Sequence, residues 1–241
     1  MSLTKVPFLA ASAVGVYVAH TPPQPKVPPT ARPKTVTSYE RVFSSLIRFY
    51  TGSFKVCLYS AWGSLETCVI LASRFPTHPL SQMILDALVP HPLYNTGRIG
   101  FSPIFLVGCS IATLGGFIRY KCYRELGRLF TYEVTIQQNH QLVTTGPYAY
   151  VRHPGYTSVI ASCVGMGVCL ASPGSWLKEC GVFDTFAGKI AVWLYVGYTV
   201  WGAVSAVART SLEDRLMKEQ FGEDWNKWAQ NVPYRLIPYV F

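Results

Sequence analysis

Two segments of the chain bring together residue types that can bind and hold an anionic reactant. The first runs from His140 to Tyr156 and places Arg152 and His153 just before the start of an apolar run. Free N–H groups at a helix start make an electropositive end that suits a carboxylate. The second segment begins at Arg209, and Glu213, four residues on, would share a helix face with it.

Each segment also has a purely structural interpretation. Arg152 and His153 would extend to lipid headgroups from a membrane boundary, while the nearby tyrosines form an interfacial belt. Arg209 and Glu213 would form a surface ion pair worth a few tenths of a kcal/mol. Residue types alone do not separate these interpretations from a functional one.

The elements that must position these segments are membrane-spanning helices. Half of the 241 residues are hydrophobic, 14% are charged and the mean hydropathy is +0.23, whereas a soluble domain carries about 25% charged residues. Several apolar runs approach the roughly 20 residues that cross a bilayer as a helix. The sequence therefore predicts an all-α polytopic integral membrane protein with about five transmembrane helices. These are Leu3–His20, Phe54–Arg74, Ile99–Ile118, Gly155–Ala171 and Phe186–Ala208.

The first fifty-three residues differ in character from the rest. Leu3–His20 is short and follows Lys5, as in a signal peptide, but it lacks a small-residue cleavage site and is interpreted as a retained helix. Thr21–Lys34 holds six prolines and predicts an extended linker, and Tyr39–Tyr50 predicts an interfacial helix. We expect residues 1–53 to form this N-terminal unit and residues 54–241 to form the membrane core.

Lysine and arginine are unevenly distributed between the loops. Phe75–Arg98 and Ser172–Thr185 contain only Arg98 and Lys178, whereas the alternate loops and the tail are rich in both. The positive-inside rule places the N-terminus in the lumen and the C-terminus in the cytosol. A cytosolic loop, 119–156, and the tail, 209–241, then lie on one face of the membrane.

The charge and cysteine content argue against a nucleic-acid-binding protein, a disulfide scaffold and a metal-binding protein. The net charge of +9 is interleaved between apolar runs, a pattern that favours topology and lipid-headgroup contacts over nucleic-acid binding. The seven cysteines show no CxxC pair and no His/Cys ligand spacing, so neither a disulfide scaffold nor a metal site is expected.

Taken in order, the two segments resemble the isoprenylcysteine carboxyl methyltransferase family over about half of the chain, from residue ~119 onward. The Arg-His-Pro-x-Tyr motif alone also occurs in phospholipid methyltransferases and, more loosely, in membrane sterol reductases, but the combination is more specific. The matching motifs are Glu125-Leu-Gly-Arg-Leu-Phe-Thr131, His140-x-Leu-Val-x-x-Gly-Pro-Tyr148, Arg152-His-Pro-x-Tyr156, Arg209-x-x-x-Glu213, Phe221-Gly-x-x-Trp225, Val232-Pro233 and Arg235-Leu-Ile-Pro238. Two residues depart from the family pattern: Ser158 replaces a glycine, and Asp214 follows Glu213 where a second glutamate is usual.

The resemblance implies S-adenosyl-L-methionine-dependent methyl esterification of the prenylcysteine carboxylate of prenylated CaaX-type proteins, or of prenylcysteine itself, in the endoplasmic reticulum membrane. It also implies a cytosolic cofactor pocket formed by the loop and a C-terminal helix. Arg209 would hold the substrate carboxylate. The cofactor-binding residues would be Gln137, His140, Gln141, Leu142, Val143, Tyr148, His153, Pro154, Gly155, Tyr156 and Glu213.

Three alternatives remain open. A phospholipid or small-lipid amine methyltransferase would not need Arg209 as a carboxylate clamp. A sterol reductase is disfavoured because the chain is short for that class and lacks a GxGxxG segment after a strand. A non-catalytic membrane scaffold would hold ionisable residues near mid-bilayer, and Glu66 is the clearest one here, either lining a cavity or pairing with a neighbouring helix.

Overall fold

The computed structural model describes residues 3–21, 23, 61–89, 96–131 and 140–240. These residues form helices and connecting turns, with no strand among them. Most of the proline-rich linker, the Tyr39–Tyr50 segment and Gln137 lie outside the described residues. The α-helices are α1 Val6–His20, α2 Ala61–Ala72, α3 Pro79–Leu88, α4 Pro103–Leu126, α5 Pro154–Ala171, α6 Trp176–Glu179, α7 Phe186–Phe221 and α8 Glu223–Asn231. Short 3-10 turns cover Leu3–Lys5, Thr96–Arg98, Gly127–Leu129, Gly146–Ala149 and Val182–Asp184.

Four helical segments of the described chain are long and apolar enough to cross a membrane. A shorter apolar helix, Trp62–Ala72, falls within the predicted second span Phe54–Arg74, whose first residues are outside the described part. The four segments are Leu3–His20, Pro103–Leu129, Pro154–Glu179 and Phe186–Phe221. The predicted all-α polytopic membrane architecture is therefore confirmed.

Small residues allow α1, α4 and α5 to pack against one another closely. A Cβ on Gly116 of α4 would lie 2.4 Å from the backbone of Gly15 in α1. A Cβ on Gly165 of α5 would lie 2.4 Å from the backbone nitrogen of Ala112 in α4. Ser158, the departure from the family pattern, is fully buried in the same interface. Membrane helices associate mainly through such backbone approach, so these three helices form the rigid core of the fold.

Local sequence signals explain where the long helices begin. Pro154 occupies the first turn of α5, where its missing N–H leaves no hydrogen bond unmade. The Ser102 side chain accepts from the backbone N–H of Phe105 at the start of α4. Thr185 caps α7 in the same way through Gly188.

Helix α7 extends well beyond its predicted end. It continues past Ala208 to Phe221, so Arg209 and Glu213 belong to the same continuous helix. Gly222, at φ 54°, then ends α7 and reverses the chain into α8. Only 11% of the most apolar stretch of α7 is buried, which leaves side chains such as Trp193 and Val200 facing outward. Such a face suits contact with lipid.

Glu66 pairs with a neighbouring segment rather than lining a large cavity. It accepts from Lys5 Nζ at 2.5 Å, and Nζ also donates to the carbonyl of Gly174 at 2.7 Å. The Lys5 ammonium lies 4.2 Å from the centre of the Phe105 ring. The cavity beside Glu66 measures about 10 Å³, room for no more than about one water molecule. This buried pair joins the N-terminal segment to α2 and to the turn after α5.

Candidate active site

A cavity of about 210 Å³ lies where the loop before α5 meets α7 and α8. Of the predicted site residues that the structure describes, all except Pro154 line it. They are His140, Gln141, Leu142, Val143, Tyr148, His153, Gly155, Tyr156, Arg209 and Glu213. Pro154 begins α5 between two of them, and Gln137 is outside the described residues. The two sequence segments therefore meet in space.

His153 lies between two consecutive carboxylates of α7. Its Nε2 is 2.9 Å from Oδ1 of Asp214, and its Nδ1 is 3.2 Å from Oε2 of Glu213. Burial alone would lower the pKa of His153, but the hydrogen bonds to Asp214 and Glu213 and the negative charges of both outweigh burial and raise this pKa. An imidazole that faces an acceptor at each nitrogen is best satisfied as the doubly protonated cation.

Asp214 connects the start of α5 to the C-terminal tail. Its Oδ2 lies 3.3 Å from both Arg152 Nη2 and Arg235 Nε. The backbone N–H groups of Arg152 and His153 donate to the carbonyls of Tyr234 and Arg235, at 2.9 and 2.8 Å. These contacts hold the tail across the beginning of α5, next to the cavity residues Arg152 and His153.

Arg209 and Glu213 both face the cavity from α7. Arg209 is only 4% exposed, and its guanidinium carbon lies 5.8 Å from the centre of the Tyr156 ring. The Tyr156 hydroxyl donates to Oε1 of Glu213. Arg209 and Glu213 share a helix face, as predicted. Because Arg209 is buried, they do not form the solvent-exposed ion pair that the non-functional interpretation of this segment required. Burial on a cavity wall is the arrangement expected of a binding site.

Arg119 lines the cavity but was not among the predicted site residues. In the sequence it was counted only among the basic residues that determine topology. Arg119 lies in the part of α4 beyond the predicted end at Ile118, is 4% exposed and lines the cavity. Its Nε donates to the Tyr123 hydroxyl at 3.1 Å, and its Nη1 lies 2.4 Å from where a Cβ on Gly155 would be. Gly155 therefore makes room for the guanidinium. Arg119 could be recognised only once α4 was known to continue as a helix.

The cavity continues as an apolar groove between α5 and α7. Beside this groove Tyr195 of α7 contacts α5: its hydroxyl donates to the carbonyl of Cys163 at 2.5 Å, and its ring lies 3.1 Å from where a Cβ on Gly167 would be. Thr199, a residue of the groove, precedes Arg209 by ten residues, which is about 15 Å along a helix. The groove is lined by Val159, Ile160, Cys163, Tyr198, Thr199, Gly202, Ala203 and Ala206.

Part of this chain is similar to a known protein family. The family model for the isoprenylcysteine carboxyl methyltransferase (ICMT) family matches residues 106–183, which include most of α4, the loop and α5. Protein-S-isoprenylcysteine O-methyltransferase B of Arabidopsis thaliana is 29% identical over 135 residues, 55% of this chain and 58% of that protein. Over these stretches the chain is similar to the isoprenylcysteine carboxyl methyltransferase family.

Two further similar proteins show how far the likeness reaches. Protein-S-isoprenylcysteine O-methyltransferase of Schizosaccharomyces pombe is 25% identical over 179 residues, 73% of this chain and 60% of that protein. A Delta(14)-sterol reductase of Mus musculus is 26% identical over 101 residues, which are 42% of this chain but 20% of the reductase. The chain thus spans about three fifths of the length of the methyltransferases it matches.

Proposed function

We propose that this chain transfers a methyl group from S-adenosyl-L-methionine to the carboxylate of a prenylated cysteine. The observation that carries the proposal is the position of Arg209. It is a buried cation at the junction between the polar cavity and the apolar groove, with Ala206 on the groove side and Glu213 on the polar side. An amphiphile with a carboxylate at one end and an isoprenoid at the other matches both parts.

Arg209 also argues against the rival amine methyltransferase. An amine acceptor gains positive charge as it is methylated, and a buried guanidinium beside it would oppose that charge. A carboxylate, in contrast, can accept two parallel hydrogen bonds from one arginine, which fixes its orientation as well as its position.

The polar part of the cavity fits the methyl donor. The anionic Glu213 and the aromatic Tyr148 and Tyr156 suit a sulfonium cation, and the His140–Val143 strip supplies the opposite wall. Bound there, S-adenosyl-L-methionine would supply a methyl group activated by its positively charged sulfur. The residues that hold it would be His140–Val143, Tyr148, His153–Tyr156 and Glu213, and Tyr156 and His153 fix the carboxylate of Glu213.

The chain's own contribution to the reaction is alignment. A prenylcysteine carboxylate is ionised at neutral pH and needs no general base to become a nucleophile. Arg209 would hold both oxygens and direct one of them toward the methyl donor, while α8 and the C-terminal tail keep water out. Positioning two reactants in this way lowers a barrier by up to about 7–11 kcal/mol.

We further propose a location and orientation for the protein. The basic loop and tail that form the cavity would face the cytosol, with the N-terminus in the lumen of the endoplasmic reticulum. The exposed apolar face of α7 contacts membrane lipids, and the isoprenoid of a prenylated CaaX-type protein would enter the groove sideways from the bilayer.

The reaction can be tested in membranes that lack this activity. With methyl-labelled S-adenosyl-L-methionine and farnesylated N-acetylcysteine, we expect base-labile methyl ester from the unaltered chain and from Arg215→Gln, an exposed arginine of α7. Arg209→Gln should abolish it. Label in an amine-containing lipid instead of an ester would favour the rival methyltransferase, and no label in any product would reject the proposal.

A further inference from the structure

Two side chains of the cavity each hold a buried N–H group without an acceptor. The Nε1 atom of Trp225 and the Nε atom of Arg152 are inaccessible to solvent and have no hydrogen-bond partner among the described residues. Both residues line the cavity. Buried donors are almost always satisfied, and an unsatisfied one is unfavourable. Two of them in one cavity indicate an acceptor supplied from outside the chain.

The two donors belong to side chains in contact with each other. The guanidinium carbon of Arg152 lies 5.7 Å from the centre of the Trp225 ring, and Lys218 Nζ lies 6.0 Å from the same ring. Asp214 lies 3.3 Å from Nη2 of Arg152, which is a different nitrogen from the unsatisfied one. Arg235 shares the same carboxylate oxygen of Asp214, so the side chains named around the two donors carry three positive charges and one negative charge. They favour an acceptor with a negative charge.

A neighbouring tryptophan provides an internal comparison. Trp228, three residues further along α8, donates from its Nε1 to the backbone carbonyl of Tyr148 at 3.3 Å. The protein therefore satisfies one indole of this helix with its own backbone and leaves the other, in a residue that lines the cavity, without an acceptor among the described residues.

We propose that Trp225 and Arg152 bind the α-carboxylate of the methyl donor. This inference rests on the proposed function, which requires two carboxylates in one cavity: that of the prenylcysteine and that of the methionyl group of S-adenosyl-L-methionine. Arg209 takes the first, at the mouth of the groove. Trp225 and Arg152 lie on the loop and α8 side, and their two N–H groups match the two oxygens of the second.

The test measures binding rather than turnover, with no methyl acceptor present. The full chain in detergent is titrated calorimetrically with S-adenosylhomocysteine, which carries the α-carboxylate, and with methylthioadenosine, which lacks the whole amino-acid part. Trp225→Phe keeps an aromatic ring and removes the N–H. We expect it to weaken S-adenosylhomocysteine binding about tenfold and to leave methylthioadenosine binding unchanged. Arg152→Lys, which keeps the charge but not the guanidinium fork, should show the same selectivity.

Trp193→Phe, on the exposed face of α7, is the matched control and should change neither affinity. An equal loss of both ligands in Trp225→Phe would overturn the inference, because the indole would then pack against the adenosine. Unchanged affinity for both would overturn it as well. If the unaltered chain binds neither ligand, the methyl donor itself is wrong and the proposed function falls with the inference.

Discussion

His153 donates to Asp214 through Nε2 at 2.9 Å and thereby joins the residue before α5 to the C-terminal part of α7. The two residues are sixty-one positions apart in the sequence. Because His153 also faces Glu213, the charge state of one imidazole affects both the packing of two helices and the position of a predicted cofactor-binding carboxylate.

The free energy of unfolding should therefore fall as pH rises above about 6.5. The pKa of His153 is raised in the folded protein, so the stability contributed by its protonation is fully present below the unfolded value of about 6.5 and is lost as pH rises through the folded value. We expect the melting temperature of the detergent-solubilised protein to decrease over this range. His153→Gln should flatten the decrease, whereas His78→Asn, at an exposed helix cap, should not. If the melting temperature depends on pH in the same way in all three proteins, protonation of His153 is not the cause of the pH dependence.

Arg209→Lys separates charge from geometry at the proposed substrate clamp. Lysine keeps a positive charge but cannot pair with a carboxylate through two parallel N–H groups. We expect kcat/KM for farnesylated N-acetylcysteine to fall about 10–100-fold, with S-adenosylhomocysteine affinity unchanged. A loss of affinity equal to the loss of kcat/KM would mean that Arg209 supports the cofactor instead.

Tyr195 should limit the length of isoprenoid that the groove accepts. Tyr195→Ala would remove a ring that contacts α5 at Gly167 and at Cys163, a residue of the groove, and so would extend the groove past Cys163. We expect the ratio of kcat/KM for geranylgeranylated over farnesylated N-acetylcysteine to rise severalfold in this variant. Tyr195→Phe, which keeps the ring and loses only the hydroxyl, should leave the ratio close to that of the unaltered chain. If Tyr195→Phe shifts the ratio as much as Tyr195→Ala, the ring does not limit the length of the isoprenoid.

Gly155→Ala should destabilise the protein through Arg119. The added methyl group would meet Nη1 of Arg119 at 2.4 Å, and forcing a buried side chain aside typically costs about 1–3 kcal/mol. Gly197→Ala in α7 is the matched control, since nothing lies within 4 Å of its Cβ position; there alanine should be neutral or stabilise the helix by up to about 1 kcal/mol. Thermal unfolding of both variants distinguishes them, and equal melting temperatures would contradict the close contact.

Glu66→Gln should be strongly destabilising although it is remote from the cavity. It leaves the fully buried ammonium of Lys5 without its counter-charge, and breaking a buried ion pair from one side costs about 3–5 kcal/mol. Replacing both residues, as in Lys5→Met with Glu66→Met, should restore much of the loss. Additive effects of the two single changes in unfolding measurements would show that the residues are not coupled.

The features that the sequence predicted are those set by local pattern. The apolar runs, Pro154 at the start of α5 and the i,i+4 relation of Arg209 to Glu213 depend on neighbours in the chain, and all three recur in the structure. The lengths of the helices, in contrast, were not predicted correctly. Helices α4 and α7 run past Ile118 and Ala208, and the first residues beyond those ends, Arg119 and Arg209, are buried. In the sequence, an arginine at the end of an apolar run indicates the membrane surface, so the burial of these two residues could not be predicted. Helix α3, inside the predicted loop Phe75–Arg98, was also missed.

The interaction partners of the buried ionisable residues could not be predicted from the sequence pattern either. Glu66 could line a cavity or pair with a helix, and the choice depended on Lys5, sixty-one residues away, reaching across the fold. The sequence also does not reveal that the buried N–H groups of Trp225 and Arg152 lack an acceptor in the described part of the chain, because hydrogen-bond partners depend on the three-dimensional surroundings.

The hydrogen bonds from Arg152 and His153 to the backbone of Tyr234 and Arg235 have a consequence for biosynthesis. Trp225 and Trp228 of α8 line the cavity and follow the candidate membrane helices of the described chain, so those helices can insert and pack before this part of the cavity exists. A nascent chain would then be an assembled membrane bundle with an incomplete cavity. Competence to bind a small polar ligand would arise only at a late point in translation, after Leu236 has left the ribosome and its carbonyl has paired with the hydroxyl of Thr157.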